Sequence, residues 1–440
     1  MASLTTNNDY KTNVDDESEP IPTSLDISKL LLEHDEEIQK LMKLAPPPAK
    51  VDPYCKYDNI FYLRYILSFR TAEKAKEAVD YCFEFRSEPR FLELAKILHE
   101  DKFLEMPVVI EAKKWQVGAP LENVLTSATG GGVAILIRAG MCNTSMMHDR
   151  ITKKDIREMN LAHREGSFQL CDKLTRESGM LCKQTMFMDM TGSALSSMMD
   201  RRQSDTHAEM SKIGSLVYPQ LMDKFCILNA PSWMGWLMSI FKKIASKRSM
   251  EKVELFTSSE SLWSSEWAKK RLIRKNFPHF VGGDIPEEKL TDELSGKYLA
   301  KVQPPQVTIS ARSKEVISFE VPAFKSKEEK ENKRITFDYV VSVQARGVEM
   351  KATFVPSDES KKIIVRKGGK IKAENGPITG VWTILNNGKP GILQIEFDNT
   401  YSMLRSKTVI YEFNMNVIDI TKEDSGCSDG RSNDVESKVL

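Results

Sequence analysis

Few of the residues in this sequence that could do chemistry occur at catalytic spacings. There is no H-E-x-x-H zinc-peptidase motif and no G-x-x-x-x-G-K-[ST] phosphate-binding loop. The six histidines lie mostly in predicted helices or polar turns, which is typical of surface or capping positions rather than of a general base. They are His34, His99, His148, His163, His207 and His279. The sequence therefore does not predict an enzyme.

Two further groups have both a chemical and a simpler structural interpretation. Gly130-Gly131-Gly132 precedes a predicted strand, whereas a phosphate-cradling loop follows a strand and opens a helix, so we interpret this run as a turn. Asp189 lies near the end of a predicted strand, where α/β proteins place functional groups. It has no obvious acid or base partner, so we expect it to hydrogen-bond to the turn that follows.

The segment after Pro231 has the pattern of a membrane-surface helix. Its apolar side chains fall at i, i+3, i+4, i+7, i+8 and i+11, which is one face of a helix. They are Trp233, Trp236, Leu237, Ile240, Phe241 and Ile244. The basic residues Lys242, Lys243, Lys247 and Arg248 crowd the end of the segment, and each is worth about 1 kcal/mol near an anionic bilayer. An ordinary core-packing helix would show the same stripe, so both interpretations stay open.

The composition indicates a multi-domain chain without metal sites. Its 440 residues suggest about three folding units. The formal net charge of +1 argues against nucleic acid as a bulk partner. Seven scattered cysteines form no C-x-x-C pair, so we expect free thiols, no metal and no cofactor in a cytoplasmic protein. We find no apolar stretch of the ~20 residues that a membrane span needs.

Three patterns follow one another along the chain. Spaced apolar residues predict helices from Leu25 to Met42 and from Phe61 to about His99, which we interpret as a small all-α N-lobe. Short apolar runs then alternate with helical segments, which indicates an α/β domain with a mainly parallel sheet. The runs are Val108–Ile110, Val133–Ile137, Met186–Met190 and Phe225–Leu228, and the helical segments include Thr152–Gly179 and Ala194–Leu221.

After about Val302 the apolar residues alternate with polar ones and turn residues separate the runs, which is typical of an antiparallel β-sandwich. The runs are Val316–Val321, Ile335–Tyr339 and Gly391–Ile395, with turns at Asn387-Gly388 and Gly368-Gly369. We interpret the highly charged Lys325–Arg334 as a long hairpin loop. The predicted boundaries are 1–23 for a disordered acidic tail, 24–104 for the N-lobe, 105–285 for the α/β domain, 300–421 for the sandwich and 422–440 for a disordered tail.

Motifs in the first two parts resemble the CRAL-TRIO lipid-transfer family. They are Phe61 to Leu67, Asp189 with Gly192, Tyr218-Pro219, Lys224 to Pro231, the tryptophan-rich segment, and Phe277 to Gly283. The family implies a lipid pocket floored by the parallel sheet and closed by a mobile amphipathic lid, here Ser232–Ser246. The pocket and lid residues that it implies are Met186, Met188, Met190, Leu228, Trp233, Trp236, Leu237, Ile240, Phe241 and Ile244.

The implied pocket has one notable departure from the family pattern. Lys252 aligns with a lysine that phosphatidylinositol-binding members use for the headgroup, so it is the headgroup candidate. Those members often carry an acidic residue, sometimes followed by arginine, after the Tyr-Pro pair, where this chain has Gln220 and Leu221. Methionines such as Met186 and Met188 favour a compliant apolar lining, although ordinary core methionines would give the same pattern.

The third part resembles the GOLD domain. Gly391 to Ser402, followed by Arg405-Ser406-Lys407, is close to the signature of that domain, and Gly283-Asp284-Ile285-Pro286 resembles the junction in proteins that fuse it to CRAL-TRIO. GOLD domains look like protein-binding modules of Golgi and vesicle traffic. The charged Lys325–Arg334 and the basic run from Lys361 to Lys370 could meet a protein partner or an anionic surface, or form a solvated face.

Taken together, the residues and the resemblance predict a non-enzymatic protein that binds and exchanges a hydrophobic lipid. The ligand would be a phospholipid or another isoprenoid or sterol-like molecule, and the protein would dock transiently on Golgi or endosomal membranes. The alternative is an adaptor with a vestigial pocket, whose GOLD-like domain recruits a signalling or trafficking partner.

Overall fold

The computed structural model describes residues 25–126, 131–193, 200–232, 234–235, 238, 250–301, 304–344, 346–358, 360–384 and 388–419. The chain forms two compact units, Met1–Lys301 and Val302–Leu440. The predicted fold class is confirmed, because helices come first, a mainly parallel sheet follows, and the second unit consists of antiparallel strands. The two polar tails expected from the sequence lie outside the described residues.

The first unit begins with five helices. They are α1 (Ile27–Glu33), α2 (Asp35–Leu44), α3 (Asn59–Phe69), α4 (Ala72–Arg86) and α5 (Pro89–His99). Asp26, Asp58 and Thr71 cap α1, α3 and α4 by accepting hydrogen bonds from backbone N–H groups of the first turn. The prolines from Pro46 to Pro48 follow α2 as predicted, since proline cannot continue a helix.

The middle of the first unit is a five-stranded sheet with the order β1-β2-β3-β4-β5. The strands are β1 (Gly118–Leu121), β2 (Gly132–Arg138), β3 (Lys183–Asp189), β4 (Met222–Leu228) and β5 (Val253–Leu255). Only β1 is antiparallel to its neighbour, and β2 to β5 are parallel. The accompanying helices are α6 (Pro107–Ala112), α7 (Thr144–Arg150), α8 (Lys153–Ser178), α9 (Arg201–Val217), α10 (Ser259–Ser264), α11 (Glu266–Arg271) and α12 (Asp292–Ser295).

Two expectations for this region need correction. Val108–Ile110 is not a strand but lies in α6, where Pro107 occupies the first turn, a position that proline favours. Three apolar residues alone cannot distinguish the two structures. The helix predicted over Ala194–Leu221 is shorter, since α9 begins at Arg201 and residues 194–199 lie outside the described residues.

Arg86, the last residue of α4, is a buried charge that joins the helices to the α/β part. Its Nη1 donates to Asp52 Oδ2 at 2.8 Å and its Nη2 donates to Glu165 Oε2 of α8 at 2.7 Å, and none of the three side chains is exposed. The ring centroids of Phe91 and Phe168 lie 5.1 and 5.2 Å from the Arg86 Cζ atom. Burial raises the pKa of Asp52 even though the charge of Arg86 opposes this shift.

The second unit is a sandwich of two four-stranded antiparallel sheets. Its strands are β6 (Gln306–Ile309), β7 (Lys314–Val321), β8 (Lys333–Val343), β9 (Gly347–Pro356), β10 (Ile363–Lys372), β11 (Ile378–Ile384), β12 (Gly391–Asp398) and β13 (Lys407–Asp419). The sheet orders are β10-β9-β12-β7 and β11-β8-β13-β6. Inward side chains such as Phe337, Phe354 and Phe397 are fully buried between the sheets. The predicted period-two runs lie in β7, β8 and β12.

Two details of the sandwich differ from the prediction. Lys325–Arg334 is not simply a loop, because it contains the helix α13 (Lys327–Asn332) and the start of β8. Ser326 and Glu329 form a capping box at the start of this helix. Gly368-Gly369 is not a turn but lies within β10, at a shift in its register with β9. Gly388 lies in a turn with φ of 74°, and Asn387 lies outside the described residues.

No helix within the described ranges is long and apolar enough to cross a bilayer. The described residues also contain no group of three or more histidine, cysteine or carboxylate side chains placed to hold a metal ion. Cysteines in the described part of the chain, Cys55, Cys82, Cys142, Cys171, Cys182 and Cys226, are free thiols.

Replacing Arg86 tests the role of the buried charge. We expect Arg86→Met to lower the free energy of unfolding by about 3–5 kcal/mol, because Asp52 and Glu165 would remain buried without a counter-charge. Urea unfolding at pH 7 measures this loss. Arg90→Met is the matched control, since Arg90 is 53% exposed where it pairs with Glu93 and Glu158, and its loss should cost less than about 1 kcal/mol.

The pH dependence of the same variant gives a second, independent check. Burial raises the pKa of Asp52, and without the opposing charge of Arg86 this pKa should lie still further above its unfolded value. Stability is then lost as the pH rises through this folded pKa, so the defect of Arg86→Met should shrink between pH 7 and pH 5. A defect that stays constant with pH would contradict the charge-pairing explanation.

Candidate functional site

The parallel sheet of the first unit has one fully covered face. Leu136, Phe187, Cys226 and Leu228 point to this face, and each is at most 1% exposed. They belong to a core cluster that includes Phe256, Leu262, Phe277 and Val281 from the part of the chain after β5. This face is therefore packed by the protein itself.

The opposite face carries apolar side chains that the described residues only partly cover. Its first row, across β2 to β5, consists of Ile135, Met186, Phe225 and Val253, which are register partners and are all half-buried. Its second row consists of Ile137, Met188, Ile227 and Leu255. We call these eight residues the apolar floor. Four strands spaced ~4.8 Å apart make it about 14 Å wide.

A methionine cluster lies at one end of the floor. Met190, Ile227, Met234 and Met238 are buried together there. Met188, Phe225 and Val253 of the floor, together with Met250, pack against this cluster. Unbranched thioether side chains adapt to irregular apolar shapes, so the cluster forms a compliant end wall.

Asp189 joins the ends of β3 and β4 beside this wall. It is buried, and its Oδ1 accepts hydrogen bonds from Thr191 N at 3.1 Å, Thr191 Oγ1 at 2.7 Å and Asn229 Nδ2 at 2.9 Å. The interpretation that Asp189 holds the following turn is therefore confirmed. The segment that contains Met234 begins two residues after Asn229, so Asp189 also fixes where that segment leaves the sheet.

The structure brings together some of the predicted site residues. Met186 and Met188 lie in the floor, and Met190 lies in the methionine cluster. Leu228 does not join them, because strand alternation turns its side chain to the covered face. The predicted lid residues Trp233, Trp236, Leu237, Ile240, Phe241 and Ile244 lie outside the described residues.

The headgroup candidate and its expected counterpart lie in different surroundings. Lys252 is half-buried directly before β5, and its carbonyl accepts a hydrogen bond from Phe225 N at 2.8 Å. Gln220 stands where phosphatidylinositol-binding relatives carry an acid. It is 3% exposed, accepts a hydrogen bond from Lys183 Nζ and donates one to Ser68 Oγ at 3.1 Å. Its amide therefore joins parts of the protein to one another.

Sequence reasoning missed several residues of this face. Ile135, Ile137 and Phe225 were predicted as strand residues but not as site residues, and the short strand that contains Val253 was not predicted at all. Strand alternation identifies Ile135, Ile137 and Phe225 once the register of their strands with Met186 and Met188 is known. Met234 and Met238 were not predicted because the tryptophan stripe is the stronger pattern in the same segment.

A separate surface cavity of about 440 Å³ lies beside the covered face, lined by Ser259, Glu260, Trp263, Ser264, Arg274 and Gly282. Its lining is mostly polar, and the indole of Trp263 donates to the carbonyl of Val281 at 2.9 Å. Pockets for small apolar ligands are mainly hydrophobic, so the apolar floor is the better candidate.

Comparison with known proteins agrees with this geometry. Residues 131–283 match the family model of the CRAL/TRIO domain, and this part of the chain, which contains β2 to β5, is therefore a CRAL/TRIO domain. No curated protein matches the chain.

Likenesses to known structures are weak. The crystal structure of Sfh5 is 13% identical and overlaps 62% of this chain and 94% of its own, with a TM-score of 0.35. A carbohydrate-binding module specific for non-crystalline cellulose, CBM28, is 11% identical and overlaps 26% of this chain and 70% of its own, with a TM-score of 0.18. Neither likeness adds to the fold assignment, which rests on the strand topology and the family match.

The hydrogen bonds at Asp189 give a graded prediction. We expect Asp189→Ala to lower the free energy of unfolding of the first unit by about 1–3 kcal/mol, because the amide of Asn229 and the N–H of Thr191 lose their acceptor. Thr191→Val removes only the hydroxyl and should cost about 1 kcal/mol or less. Chemical denaturation of both variants measures the series. Equal losses in the two variants would show that Asp189 does not connect the strand ends.

Proposed function

We propose that this chain is a lipid carrier that holds one hydrophobic ligand against the apolar floor. The half-buried first row of the floor carries the proposal, because parallel sheets are normally covered on both faces and their central strands are fully buried. A bound acyl chain or isoprenoid would supply the missing cover. The CRAL/TRIO match supports the same conclusion, since that family binds hydrophobic ligands.

The energetics are compatible with reversible loading. Burying one methylene against water is worth about 0.8 kcal/mol, but a lipid that comes from a bilayer already has an apolar environment. The free energy of the ligand is therefore nearly the same against the floor as in the bilayer, and the ligand can be exchanged in both directions. The costly step is exposure of the floor during exchange. A lid that contacts the membrane, with Trp233 and Trp236 among its residues, would cover the floor at that step.

We propose no chemical change of the ligand. The side chains of the floor and of the methionine cluster are hydrocarbons, aromatic rings and thioethers, which supply neither a nucleophile nor a general base. A G-x-S-x-G pentapeptide does occur at Gly426 to Gly430, but it lies outside the described residues and outside the part of the chain that matches the CRAL/TRIO domain.

An adaptor function is the second candidate. Strand β6 pairs with β13 from Lys407 to Ile410, whereas β8 pairs with β13 as far as Asp419. The second half of β13 therefore has a neighbouring strand on one side, β8, and β6 does not reach it. Met415 and Val417 in this last part are 42% and 51% exposed. A GOLD-like sandwich with such a strand would suit a protein partner that adds an extended segment to it. In either function, we propose a cytoplasmic protein that associates peripherally with Golgi or endosomal membranes.

Filling the floor with a larger side chain tests the carrier function. We expect full-length Met186→Trp, purified from cells, to carry at least tenfold less co-purified lipid than the wild type, because the indole would occupy the space of the ligand. Native mass spectrometry with lipid extraction measures the occupancy. Val253→Trp at the edge of the floor provides a second variant with less risk of overpacking.

Ile110→Trp is the matched control, since Ile110 of α6 is 53% exposed and lies outside the floor. It should retain one lipid class at near-stoichiometric occupancy, as should the wild type. A wild-type protein that is empty, and stays empty after incubation with mixed liposomes, would contradict the carrier function and favour the adaptor. Full occupancy in both floor variants would show that the ligand binds elsewhere.

A further inference from the structure

The loop between β12 and β13 presents large apolar side chains to solvent. Leu404 is 91% exposed, Met403 is 68% exposed and Tyr401 is 48% exposed. Single exposed apolar residues are common, but neighbouring ones at a loop tip of a folded domain favour contact with another apolar phase. We call residues 399–406 the apolar loop.

Hydrogen bonds hold the base of the apolar loop in one conformation. Asn399 is fully buried, and its Nδ2 donates to the carbonyls of Ile309, Ser310 and Arg405 at 3.2, 3.0 and 2.9 Å. The hydroxyl of Ser402 also donates to the carbonyl of Arg405, at 2.9 Å. The apolar tip is therefore displayed by an ordered scaffold, so little conformational entropy is lost when it binds.

The apolar loop is anchored to the neighbouring hairpin by aromatic and basic side chains. The hydroxyl of Tyr401 donates to the carbonyl of Gly347, and the ammonium of Lys370 lies 4.7 Å from the centre of the Tyr401 ring. Gly347 allows β10 to approach closely, since a Cβ atom there would lie 2.6 Å from the carbonyl oxygen of Ile371. The carbonyl of Arg346 accepts a hydrogen bond from Ala373, so the β8–β9 turn is at the same end of the sandwich.

Four cations meet at this end: Arg346, Lys370, Arg405 and Lys407. Lys407 is only 4% exposed, and its burial, followed by the charges of the other three, lowers its pKa. No ion pair joins any of the four to a carboxylate in the described part of the chain. Two acidic groups act on Tyr401: Asp398, which is paired with Lys314 at 2.8 Å, and Glu349, which is the register partner of Lys370. One carboxylate therefore faces four cations, and this end of the sandwich keeps an excess of positive charge.

We propose that the apolar loop and these four cations form a docking surface for anionic membranes. Met403 and Leu404 would enter the acyl region, while the exposed Arg346, Lys370 and Arg405 would contact the phosphate groups of the lipids. The buried Lys407 would add its charge to the same end of the sandwich. The combination of exposed apolar side chains with cations distinguishes a bilayer from a free phosphate ion as the partner. A free phosphate ion would use the cations but would leave Met403 and Leu404 in water, whereas a bilayer surface satisfies both groups. This surface is distinct from the apolar floor and does not depend on a bound ligand.

Vesicle co-sedimentation of the full-length chain tests the proposal. The probes are vesicles of phosphatidylcholine alone and of phosphatidylcholine with about one-fifth phosphatidylserine. We expect binding to the anionic vesicles to fall at least tenfold for Leu404→Asp and about fivefold or more for Arg405→Glu, since each cation contributes about a fivefold gain near an anionic surface. Both side chains are exposed, so neither variant should change the thermal midpoint.

Two matched controls place the same changes elsewhere on the sandwich. Val381→Asp alters a side chain that is 61% exposed in β11. Lys362→Glu alters the basic run directly before β10, whereas Lys370 lies near the other end of that strand. Each should change vesicle binding less than twofold. Wild-type binding in both Leu404→Asp and Arg405→Glu would overturn the proposal, as would an equal loss in the controls.

A free anion is the remaining alternative, and inorganic phosphate is its probe. If phosphate raises the thermal midpoint of the wild type but not of Arg405→Glu, while anionic vesicles do not bind, the site is a phosphate site and the membrane proposal is wrong. Lipid co-purification is measured on the same preparations. Leu404→Asp should keep its lipid, so failure of the docking surface and failure of the carrier function give different results.

Discussion

Parallel strands present apolar side chains on both faces of their sheet, and both faces must be covered for the sheet to be stable in water. Among the described residues of the first unit, only one face of the sheet is fully covered, and there Phe277 and Val281 belong to the same core cluster as Phe187. On the other face the described residues bury Ile227 but leave Ile135 and Met186 half-covered. In the proposed function a lipid completes the second face, so that binding the ligand and finishing the hydrophobic core become the same process.

A core that is finished by a ligand needs surroundings that stay folded when the ligand leaves. The Arg86 network supplies such a feature at a distance from the floor. It connects α4 to α8 through Glu165, and α8 in turn leads directly to β3. Buried ion networks contribute little net stability compared with apolar packing, but losing one member is costly. They therefore favour one arrangement of the helices over alternatives, which suits a protein whose sheet is loaded and emptied.

Most of the architecture was predictable from the sequence, and the errors have physical causes. The apolar period separated strands from helices wherever a run was long, as in α8 and β12, but failed for Val108–Ile110, where three residues fit either structure. The high density of charged residues in Lys325–Arg334 predicted a loop. The capping box formed by Ser326 and Glu329, which indicates a helix start, was overlooked. Glycine pairs such as Gly368-Gly369 mark a bulge as readily as a turn.

The site was predictable only in part, because it depends on which strand faces coincide. Met186 and Met188 lie in the floor and remain predicted pocket residues, whereas Leu228 lies on the covered face, since the sequence of one strand does not reveal its register with the next. Met234 and Met238 of the methionine cluster were not predicted, because the tryptophan pattern of the same segment is stronger. Residues that come together from separate hairpins, such as Arg346 and Lys407, leave no local signal at all.

A carrier must also leave the membrane that it visits, and this requirement limits how strongly any docking surface can bind. Two apolar side chains and a few cations give a contact that is modest and weakened by salt, comparable to a single membrane signal rather than to a stable anchor. The near-neutral charge of the whole chain also keeps membrane binding weak, because the cations elsewhere are balanced by carboxylates and do not add to the attraction to an anionic bilayer. Weak local docking combined with a nearly balanced exchange of ligand would therefore let the protein load, dissociate and unload without an external energy source.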